Sequence, residues 1–225
     1  MRVERLLLGE LETNTWLVSD GVGGSLVVID PAGDGDDSER LIEAIDEREV
    51  AAVVLTHAHF DHLGSAAAVL DATGAPLLVH SADAGRLTSA APEGTGGALF
   101  GFDQVAPPAD RVLEDGDRVV AGNLNLKVIL TPGHTRGSIS LLAEDISSTV
   151  PGGYLATSVA HLFSGDTLFA GSVGRTDFPG GDAREMRASI ARLAALSDET
   201  VVHPGHGPDT TIARERRVNP FFPRA

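Results

Sequence analysis

Short apolar runs, separated by turns and by helical patterns, run along most of the chain. The runs predict strands at residues 2–8, 15–18, 25–29, 50–55, 76–80, 118–120, 124–130, 137–142, 161–164 and 200–203. Apolar residues three or four positions apart predict helices after Asp36, at 63–73, after Asp182 and at 209–217, with a short helix from Ser81. The first and third of these helices have capping-box patterns, since a glutamate stands three residues after each aspartate.

The stretch with the most distinctive chemistry, residues 56–62, directly follows one of these predicted strands. It contains three histidines and one aspartate within six positions. On an extended segment His57 and His59 point the same way, so both imidazoles can bind one ion. Asp61 and His62 follow at the predicted helix start and can reach a second ion beside the first. Imidazole and carboxylate are the usual ligands of zinc, iron and manganese, so this stretch predicts a metal site.

Four ligands do not complete two metal sites, and three later positions have the same features. His134, Asp166 and His206 each follow a strand-like run and lie beside a glycine. They are therefore predicted to complete the sites. The remaining histidines are better explained as ordinary polar groups near strands: His80, His161 and His203.

This set of residues resembles the metallo-β-lactamase superfamily over nearly the whole chain. Residues 168–178 and 205–211 resemble, more narrowly, the short single-domain glyoxalase II-like hydrolases. The resemblance implies one domain over residues 1–225. It also implies an α/β fold, a four-layer αββα sandwich of two mixed β-sheets flanked by helices, with the metals at one edge.

The resemblance further implies two divalent metal ions, with zinc as the first expectation and iron or manganese as alternatives. The family's ligands match three positions for the first metal, three for the second and one bridging carboxylate: His57, His59 and His134; Asp61, His62 and His206; and Asp166. A hydroxide between two metals is the implied nucleophile, because metals lower the pKa of bound water from 15.7 to about 7. Asp61 and Asp166 are the candidate catalytic carboxylates.

The implied reaction is thioester hydrolysis, with S-D-lactoylglutathione or a related acyl-glutathione as substrate. A thiol has a pKa near 8.5 and can leave without a dedicated general acid. Arg175, Asp177 and Phe178 are the candidate substrate-binding residues, because the matching loop of glyoxalase II offers a basic residue to a glutathione carboxylate. The planar fork of Arg175 suits a carboxylate, but it can equally pair with Asp177 and brace the loop.

Three other functions stay open. A persulfide dioxygenase of the same fold would bind a single iron through residues matching His57, His134 and Asp166. A lactonase is possible, because an ester also suits a metal-activated hydroxide. A non-catalytic metal-binding module is expected to lack one or two ligands, whereas all seven are present here.

Composition narrows the class of protein. The 225 residues include 42% hydrophobic and 22% charged residues, as in an ordinary globular domain. The net charge of −15 would repel a nucleic-acid backbone, and no run approaches the roughly 20 apolar residues of a membrane span. There is no cysteine, which excludes disulfides and thiolate ligands. We expect a cytoplasmic enzyme whose substrate is a small-molecule thioester, with no nucleic-acid or membrane partner. The sequence does not determine the oligomeric state.

Two irregular stretches and one aspartate have competing interpretations. Residues 90–110, rich in glycine, proline and alanine, either border the active-site mouth or form a solvated loop, and Phe100 and Phe102 pack on the body or on substrate. Residues 144–160 resemble an insertion for which no role is predicted. Asp30 either lies near the metal site or simply ends its strand.

Overall fold

The structure is a computed structural model that describes residues 1–21, 24–143 and 159–223. Nearly all of the predicted insertion, residues 144–158, lies outside these described residues. The remainder forms two six-stranded sheets, a small two-stranded hairpin and five α-helices.

The first sheet uses the first half of the chain in sequence order. Its strands are β1 (Arg2–Leu8), β2 (Thr13–Ser19), β3 (Leu26–Ile29), β4 (Val50–Val54), β5 (Leu77–His80) and β6 (Arg111–Leu113). Pairing is antiparallel from β1 to β3 and parallel from β3 to β6. The parallel strands are connected through α1 (Asp36–Ile45), α2 (Ala66–Thr73) and α3 (Ser81–Ala84).

The second sheet comes from the rest of the chain. Its strands are β7 (Arg118–Ala121), β8 (Leu124–Leu130), β9 (Ile139–Ala143), β10 (His161–Gly165), β13 (Val201–Pro204) and β14 (Thr210–Thr211), in the spatial order β14-β13-β10-β9-β8-β7. Only β10 and β13 pair in parallel. The hairpin of β11 (Leu168–Phe169) and β12 (Ser172–Val173) follows β10, while α4 (Ala183–Leu193) and α5 (Ile212–Val218) flank β13 and β14 in sequence.

Three apolar clusters define four layers. On β2, Leu17 packs with Leu41 and Ile45 of α1, whereas its neighbours Trp16 and Val18 pack into the space between the sheets. This alternation follows from the period-two geometry of a strand, and it buries both faces of β2. The third cluster joins the second sheet to α4 and α5. The predicted αββα sandwich of two mixed sheets is confirmed.

The two sheets are joined at one end by Asn14 of β2. Its backbone N–H donates to the Gly205 carbonyl at 2.7 Å. Its side-chain amide donates to the Pro204 and Gly207 carbonyls, both at 2.9 Å. Thr13 also forms an isolated antiparallel bridge with His206. The loop after β13 is therefore held against the first sheet.

Several local predictions need correction. The helix predicted at 63–73 starts at Ala66, because Phe60–His62 forms a separate 3-10 helix. Asp36 does not cap α1, whose N-cap is Gly35 in a positive-φ conformation with no side-chain cap. Asp182 does cap α4 and accepts hydrogen bonds from the Arg184 and Glu185 amides. The short strands β6, β11, β12 and β14 were missed, since two or three residues show no period.

None of the helices in the described ranges is both long and apolar enough to cross a bilayer.

Candidate metal centre

The seven predicted ligands meet at one edge of the sandwich, where several strands end. His57 and His59 follow β4, and Asp61 and His62 lie in the 3-10 helix just beyond them. The other three follow β8, β10 and β13, respectively: His134, Asp166 and His206. Among the described residues, the groups able to hold a metal ion use only these seven side chains, so His80, His161 and His203 take no part in them.

One half of the cluster consists of His57, His59 and His134, here named the nitrogen trio. A ligand atom from each lies within 4.8 Å of the other two. Nδ1 of His59 and Nε2 of His134 are 2.8 Å apart. All three imidazoles are buried. The trio therefore offers only neutral nitrogen donors to a cation, away from bulk solvent.

The other half consists of Asp61, His62 and His206, here named the mixed trio. Nε2 of His206 lies 3.1 Å from Oδ2 of Asp61, and Nε2 of His62 lies 3.6 Å from the same oxygen. The Asp61 and His206 side chains are 14% and 25% exposed, whereas His62 is fully buried. This half combines a carboxylate with two imidazoles and has partial access to solvent.

Asp166 lies between the two trios. Its Oδ1 is 3.3 Å from Nε2 of His62, and its Oδ2 is 3.6 Å from Nε2 of His134 and 3.7 Å from Nε2 of His206. One carboxylate thus faces ligands of both groups. This position suits the bridging role that the sequence predicts for it.

The outer nitrogens of the imidazoles are held by oxygen acceptors. Nδ1 faces an oxygen in four of them: His57 with Thr56 Oγ1 at 3.1 Å, His62 with Asp30 Oδ2 at 2.9 Å, His134 with the Arg175 carbonyl at 2.8 Å, and His206 with the Leu11 carbonyl at 3.1 Å. A carbonyl oxygen can only accept, so Nδ1 of His134 and His206 carries the proton. At His134 the Nε2 lone pair then faces the cluster, which is the usual arrangement around ligating histidines, whereas Nε2 of His206 donates to Asp61 Oδ2 at 3.1 Å.

Protonation differs between the two trios. Burial, reinforced by the neighbouring imidazoles, lowers the pKa of His57 and His59 well below the usual value. Burial has the same tendency at His62, but Asp166, Asp61 and Asp30 outweigh it and raise the pKa of His62 well above normal. His57 and His59 are therefore neutral, while His62 is stabilised as a cation among carboxylates.

The carboxylates of the cluster stay ionised. Burial would raise the pKa of Asp166, but His62 and the other imidazoles hold that pKa far below its usual range. The pKa of Asp61 is lowered in the same way, with burial opposed by His62 and by the hydrogen bond from His206. Both side chains are thus available as anionic oxygen ligands.

The residues of this cluster fit metal ions. Nε2 of His57, Nε2 of His62 and Oδ1 of Asp166 are buried and lack a hydrogen-bond partner among the described residues. A buried polar atom without a partner is costly, and a cation would satisfy all three. Gly205 leaves room at this point, because a Cβ there would lie 2.7 Å from Cε1 of His62. The donor set of nitrogen and carboxylate oxygen suits zinc, iron or manganese.

Asp30 supports the mixed trio from behind. It is buried, and its carboxylate accepts hydrogen bonds from the Thr56 amide and hydroxyl, both at 2.7 Å, besides facing His62. Asp30 thus lies beside the predicted ligand His62, as one of its two interpretations expected. Its carboxylate fixes the ring orientation of His62 and the start of residues 56–62, here named the ligand loop.

Asp83 of α3 supports the nitrogen trio in a similar way. This fully buried carboxylate accepts hydrogen bonds from the Ala58 amide at 3.0 Å, the Thr135 hydroxyl at 2.7 Å and the Gly137 amide at 2.9 Å. It therefore ties the loop of His57 and His59 to the loop of His134. The sequence contained no signal for this role, because an aspartate in a short helix is usually solvated.

A cavity of about 280 Å³ opens against the cluster. Four predicted ligands and four phenylalanines line it: His59, Asp61, His134 and Asp166, with Phe60, Phe100, Phe102 and Phe178. Two further wall residues, Thr95 and Gly96, also come from residues 90–110. The stretch therefore borders the cavity beside the predicted ligands, as one of its two interpretations expected, and among the lining phenylalanines only Phe60 was not predicted.

The three predicted substrate-binding residues are placed unequally. Arg175 and Phe178 line the cavity, whereas Asp177 is not among its lining residues. Nε and Nη2 of Arg175 donate to the two carboxylate oxygens of Asp177 at 2.7 and 2.8 Å. The guanidinium also stacks on the Phe178 ring, 3.5 Å from its centroid. The fork of Arg175 is thus paired within its own loop.

The sandwich and its edge of histidines and aspartates define a metal-dependent class of protein. The family model described as the metallo-beta-lactamase superfamily matches residues 8–145 and 158–206. The chain therefore belongs to the metallo-beta-lactamase superfamily, and within it the chain is a metallo-hydrolase.

Relatives align over nearly their full length. An uncharacterised protein of Mycobacterium leprae is 37% identical, with 95% of each chain aligned. The probable metallo-hydrolase YqgX of Bacillus subtilis is 33% identical, covering 99% of this chain and 98% of its own. The hydroxyacylglutathione hydrolase GloC of Haemophilus influenzae is 31% identical, with the same coverage.

Solved structures show the same fold. The B3 metallo-beta-lactamase BLEG-1 superposes with a TM-score of 0.85 at 34% identity, covering 98% of this chain and 99% of its own. The di-iron-bound form of TTHA1623 superposes with a TM-score of 0.78 at 37% identity, covering 98% of this chain and 100% of its own. ETHE1 from Myxococcus xanthus superposes with a TM-score of 0.73 at 30% identity, covering 98% of this chain and 84% of its own.

Proposed function

We propose that this metallo-hydrolase cleaves thioesters, with S-D-lactoylglutathione or a related acyl-glutathione as substrate. The observation that supports it best is the pair of trios sharing Asp166 at the wall of a substrate-sized cavity. The likeness to the Haemophilus hydroxyacylglutathione hydrolase favours the same chemistry.

The cavity wall suits a leaving group that departs without being protonated by a side chain. Its described lining includes no lysine, tyrosine or cysteine that could protonate a departing atom, and its histidines and aspartates are the proposed metal ligands. Arg175 keeps its proton, because the hydrogen bond to Asp177 raises its pKa further. A thiolate leaves without a proton near neutral pH, since a thiol's pKa is about 8.5.

Two divalent cations, zinc in our proposal, would be bound by the nitrogen trio and the mixed trio, with Asp166 between them. Cations bound there would supply Lewis acidity and a water of lowered pKa. Asp61 and Asp166 line the cavity as carboxylates and would accept hydrogen bonds from such a water, which would orient it toward the acyl carbon. The outer hydrogen bonds of His134 and His206 keep their rings in place during the reaction.

The loop of Arg175, Asp177 and Phe178 is proposed to bind the thiol portion of the substrate, with the Arg175 guanidinium, packed on the Phe178 ring, binding its carboxylate in place of Asp177. Because Asp177 already occupies the guanidinium fork, binding would exchange one carboxylate for another. We expect Arg175→Ala to raise KM for glutathione thioesters while changing kcat little. An unchanged KM would mean that the ion pair only braces the loop.

The test is thiol release from S-D-lactoylglutathione by purified protein, with metals quantified on the same sample. We expect turnover with about two metals per chain, loss of turnover in His59→Ala, and recovery of the wild type when metal is returned after chelation. Absence of turnover in the two-metal protein, with S-D-lactoylglutathione and with other acyl-glutathiones, would overturn the thioesterase. Hydrolysis of a lactone and of a β-lactam is measured with the same protein sample. The β-lactam is included because the chain is similar to the metallo-beta-lactamase BLEG-1.

A persulfide dioxygenase is the second candidate, since ETHE1 from Myxococcus xanthus has the same fold at 30% identity. It predicts about one iron per chain and oxygen uptake with glutathione persulfide. A cytoplasmic location and a single domain over residues 1–225 also remain proposals from the sequence.

A further inference from the structure

Phenylalanine is concentrated on one wall of the cavity. The chain has eight phenylalanines, and four of them line this space: Phe60, Phe100, Phe102 and Phe178. They come from three separate segments, the ligand loop, the stretch at 90–110 and the loop after β12. The fold thus gathers aromatic rings from distant positions beside the proposed metal ligands.

The four rings form a continuous group. The centroid of Phe60 lies 5.0 Å from that of Phe102 and 5.7 Å from that of Phe100, with nearly parallel planes. Phe100 and Phe178 are 5.6 Å apart, and Phe178 meets the His59 imidazole edge to face at 6.1 Å. The aromatic surface therefore extends from the mouth to a metal ligand, and Phe100 remains 50% exposed within it.

The charged groups of this cavity are balanced. Apart from the proposed metal ligands, its only charged lining residue among those described is Arg175, whose charge is paired with Asp177 and whose guanidinium lies flat on Phe178. Beyond Arg175, no described lining residue outside the ligand set offers a positive charge to a further anionic group of a ligand. The surface left for a ligand is aromatic.

A neighbouring cavity of about 220 Å³ gives the contrast. It shares Leu11, Phe60, Asp61 and Phe102 with the aromatic cavity, but its other walls are largely polar and acidic, including Glu10, Asp34 and Asp103. An apolar group beside the metal ligands therefore has one favourable direction, toward Phe100 and Phe178.

We propose that the phenylalanine wall binds the acyl group of the substrate, and that this acyl group is apolar, an aliphatic chain of several carbons or an aryl group. The inference rests on the proposed thioesterase function. Glutathione is polar or charged along its whole length, so in an acyl-glutathione only the acyl side can bring an apolar group to these rings. A lactoyl group has three carbons and a hydroxyl, and would leave most of the aromatic surface uncovered.

The experiment compares glutathione thioesters that differ only in the acyl group: acetyl, butyryl, hexanoyl and D-lactoyl. Burying one methylene is worth about 0.8 kcal/mol, so kcat/KM is expected to rise about fourfold per methylene until the wall is covered. S-hexylglutathione and S-methylglutathione, which are thioethers and cannot be hydrolysed, are titrated calorimetrically against the metal-loaded protein. We expect the hexyl compound to bind at least tenfold more tightly.

The variant is Phe100→Ala, whose half-exposed ring can be removed without opening the buried core. It is expected to lower kcat/KM for the hexanoyl thioester about tenfold and to change that for the acetyl thioester less than twofold, while Phe100→Leu restores most of the difference. Phe221, equally 50% exposed but not among the cavity residues, provides the matched control Phe221→Ala, which should behave as wild type.

The outcomes separate this inference from the function on which it rests. Hydrolysis of all four thioesters at equal rates, or a preference for D-lactoyl, would overturn the apolar acyl group and leave the thioesterase standing. Equal loss on all substrates in Phe100→Ala would have the same meaning. If no thioester is cleaved, the proposed function fails, and equal binding of the two thioethers would then also refute an apolar site at these rings.

Discussion

The nitrogen trio and the mixed trio lie side by side, share Asp166, and yet differ in almost every physical property. The nitrogen trio is buried, contains no carboxylate and has an unpartnered ring nitrogen at His57. The mixed trio contains Asp61, is partly exposed and is linked internally by the 3.1 Å contact between His206 and Asp61.

This difference determines how firmly each trio is expected to hold a metal cation. Without one, the nitrogen trio pairs Nδ1 of His59 with Nε2 of His134 at 2.8 Å and leaves Nε2 of His57 buried without a partner among the described residues. In the mixed trio His206 is hydrogen-bonded to Asp61, while Nε2 of His62 lies 3.3 Å from the Asp166 carboxylate and 3.6 Å from that of Asp61. We therefore expect a metal to be retained more firmly by the nitrogen trio, because all three of its imidazoles are buried and solvent reaches it less.

Asp166→Ala is expected to have the largest effect, because this carboxylate faces both trios. Replacing a residue outside the ligand set already costs about 10- to 100-fold in metal affinity or activity, so loss of this ligand should exceed a hundredfold in kcat/KM. Metal content and turnover are measured on one sample. The exposed Asp198, which pairs with Arg216 on the surface, gives the control Asp198→Ala. A variant that retains two metals and full activity would contradict the shared role.

The next pair of variants separates the trios. His206→Ala should leave about one metal, retained by the buried nitrogen trio. His134→Ala should leave its remaining metal on the partly exposed mixed trio, where a chelator reaches it sooner. Metal remaining after timed exposure to a chelator is the measurement. Equal rates of loss from the two variants would mean that burial does not distinguish the trios.

Two supporting aspartates allow a finer comparison. Asp30→Asn alters the acceptor facing His62, and Asp83→Asn alters the acceptor that joins the loops of the nitrogen trio. Each variant is expected to weaken metal retention about tenfold, which is the low end of the range for residues that support metal ligands. Asp30→Asn should affect the mixed trio, and Asp83→Asn should affect the nitrogen trio.

The control for this pair is Asp110→Asn, because Asp110 also accepts from a backbone amide, that of Leu77, but lies outside the metal cluster. It should lower the melting temperature without changing metal content. If all three variants behave alike, the aspartates act on stability alone.

The smallest effect is expected for Asp182→Ala at the start of α4. The amides of Glu185 and Arg184 hold the pKa of the Asp182 carboxyl below its usual value. A lowered folded-state pKa stabilises the protein above the unfolded pKa of about 3.9, and that contribution is lost as pH falls below it. Asp182→Ala should therefore lower the melting temperature slightly at pH 7 and by less near pH 3. An equal decrease at both values would contradict the cap.

The sequence predicted the strands that are apolar on both faces and the ligands that follow them. The stretch at 56–62 was recognisable because solvation or packing alone does not account for four ligand-type residues within six positions. The downstream ligands were found because each follows a strand beside a glycine. The roles of these residues in metal binding and catalysis stay predictions.

The parts that were missed depend on contacts between distant segments. Asp83 acts through the Ala58 amide and the Thr135 hydroxyl, which are 25 and 52 positions away. Phe60 faces Phe100 and Phe102 only because residues 90–110 fold back over the ligand loop, where the Phe60 amide donates to the Thr95 carbonyl. Such pairs leave no period and no local motif in the chain.

The junction at Asn14 has a consequence for the newly made protein. Its side chain bonds the Pro204 carbonyl 190 positions later, and His206 meets Asp61 across 145 positions. At about 5–20 residues per second, the ribosome needs roughly 7 to 30 seconds to add those 145 residues. Throughout that interval the nascent chain presents Asp61 and His62 without His206, the third member of the mixed trio. The ligand set predicted for the mixed trio is thus complete only after residue 206 has been synthesised.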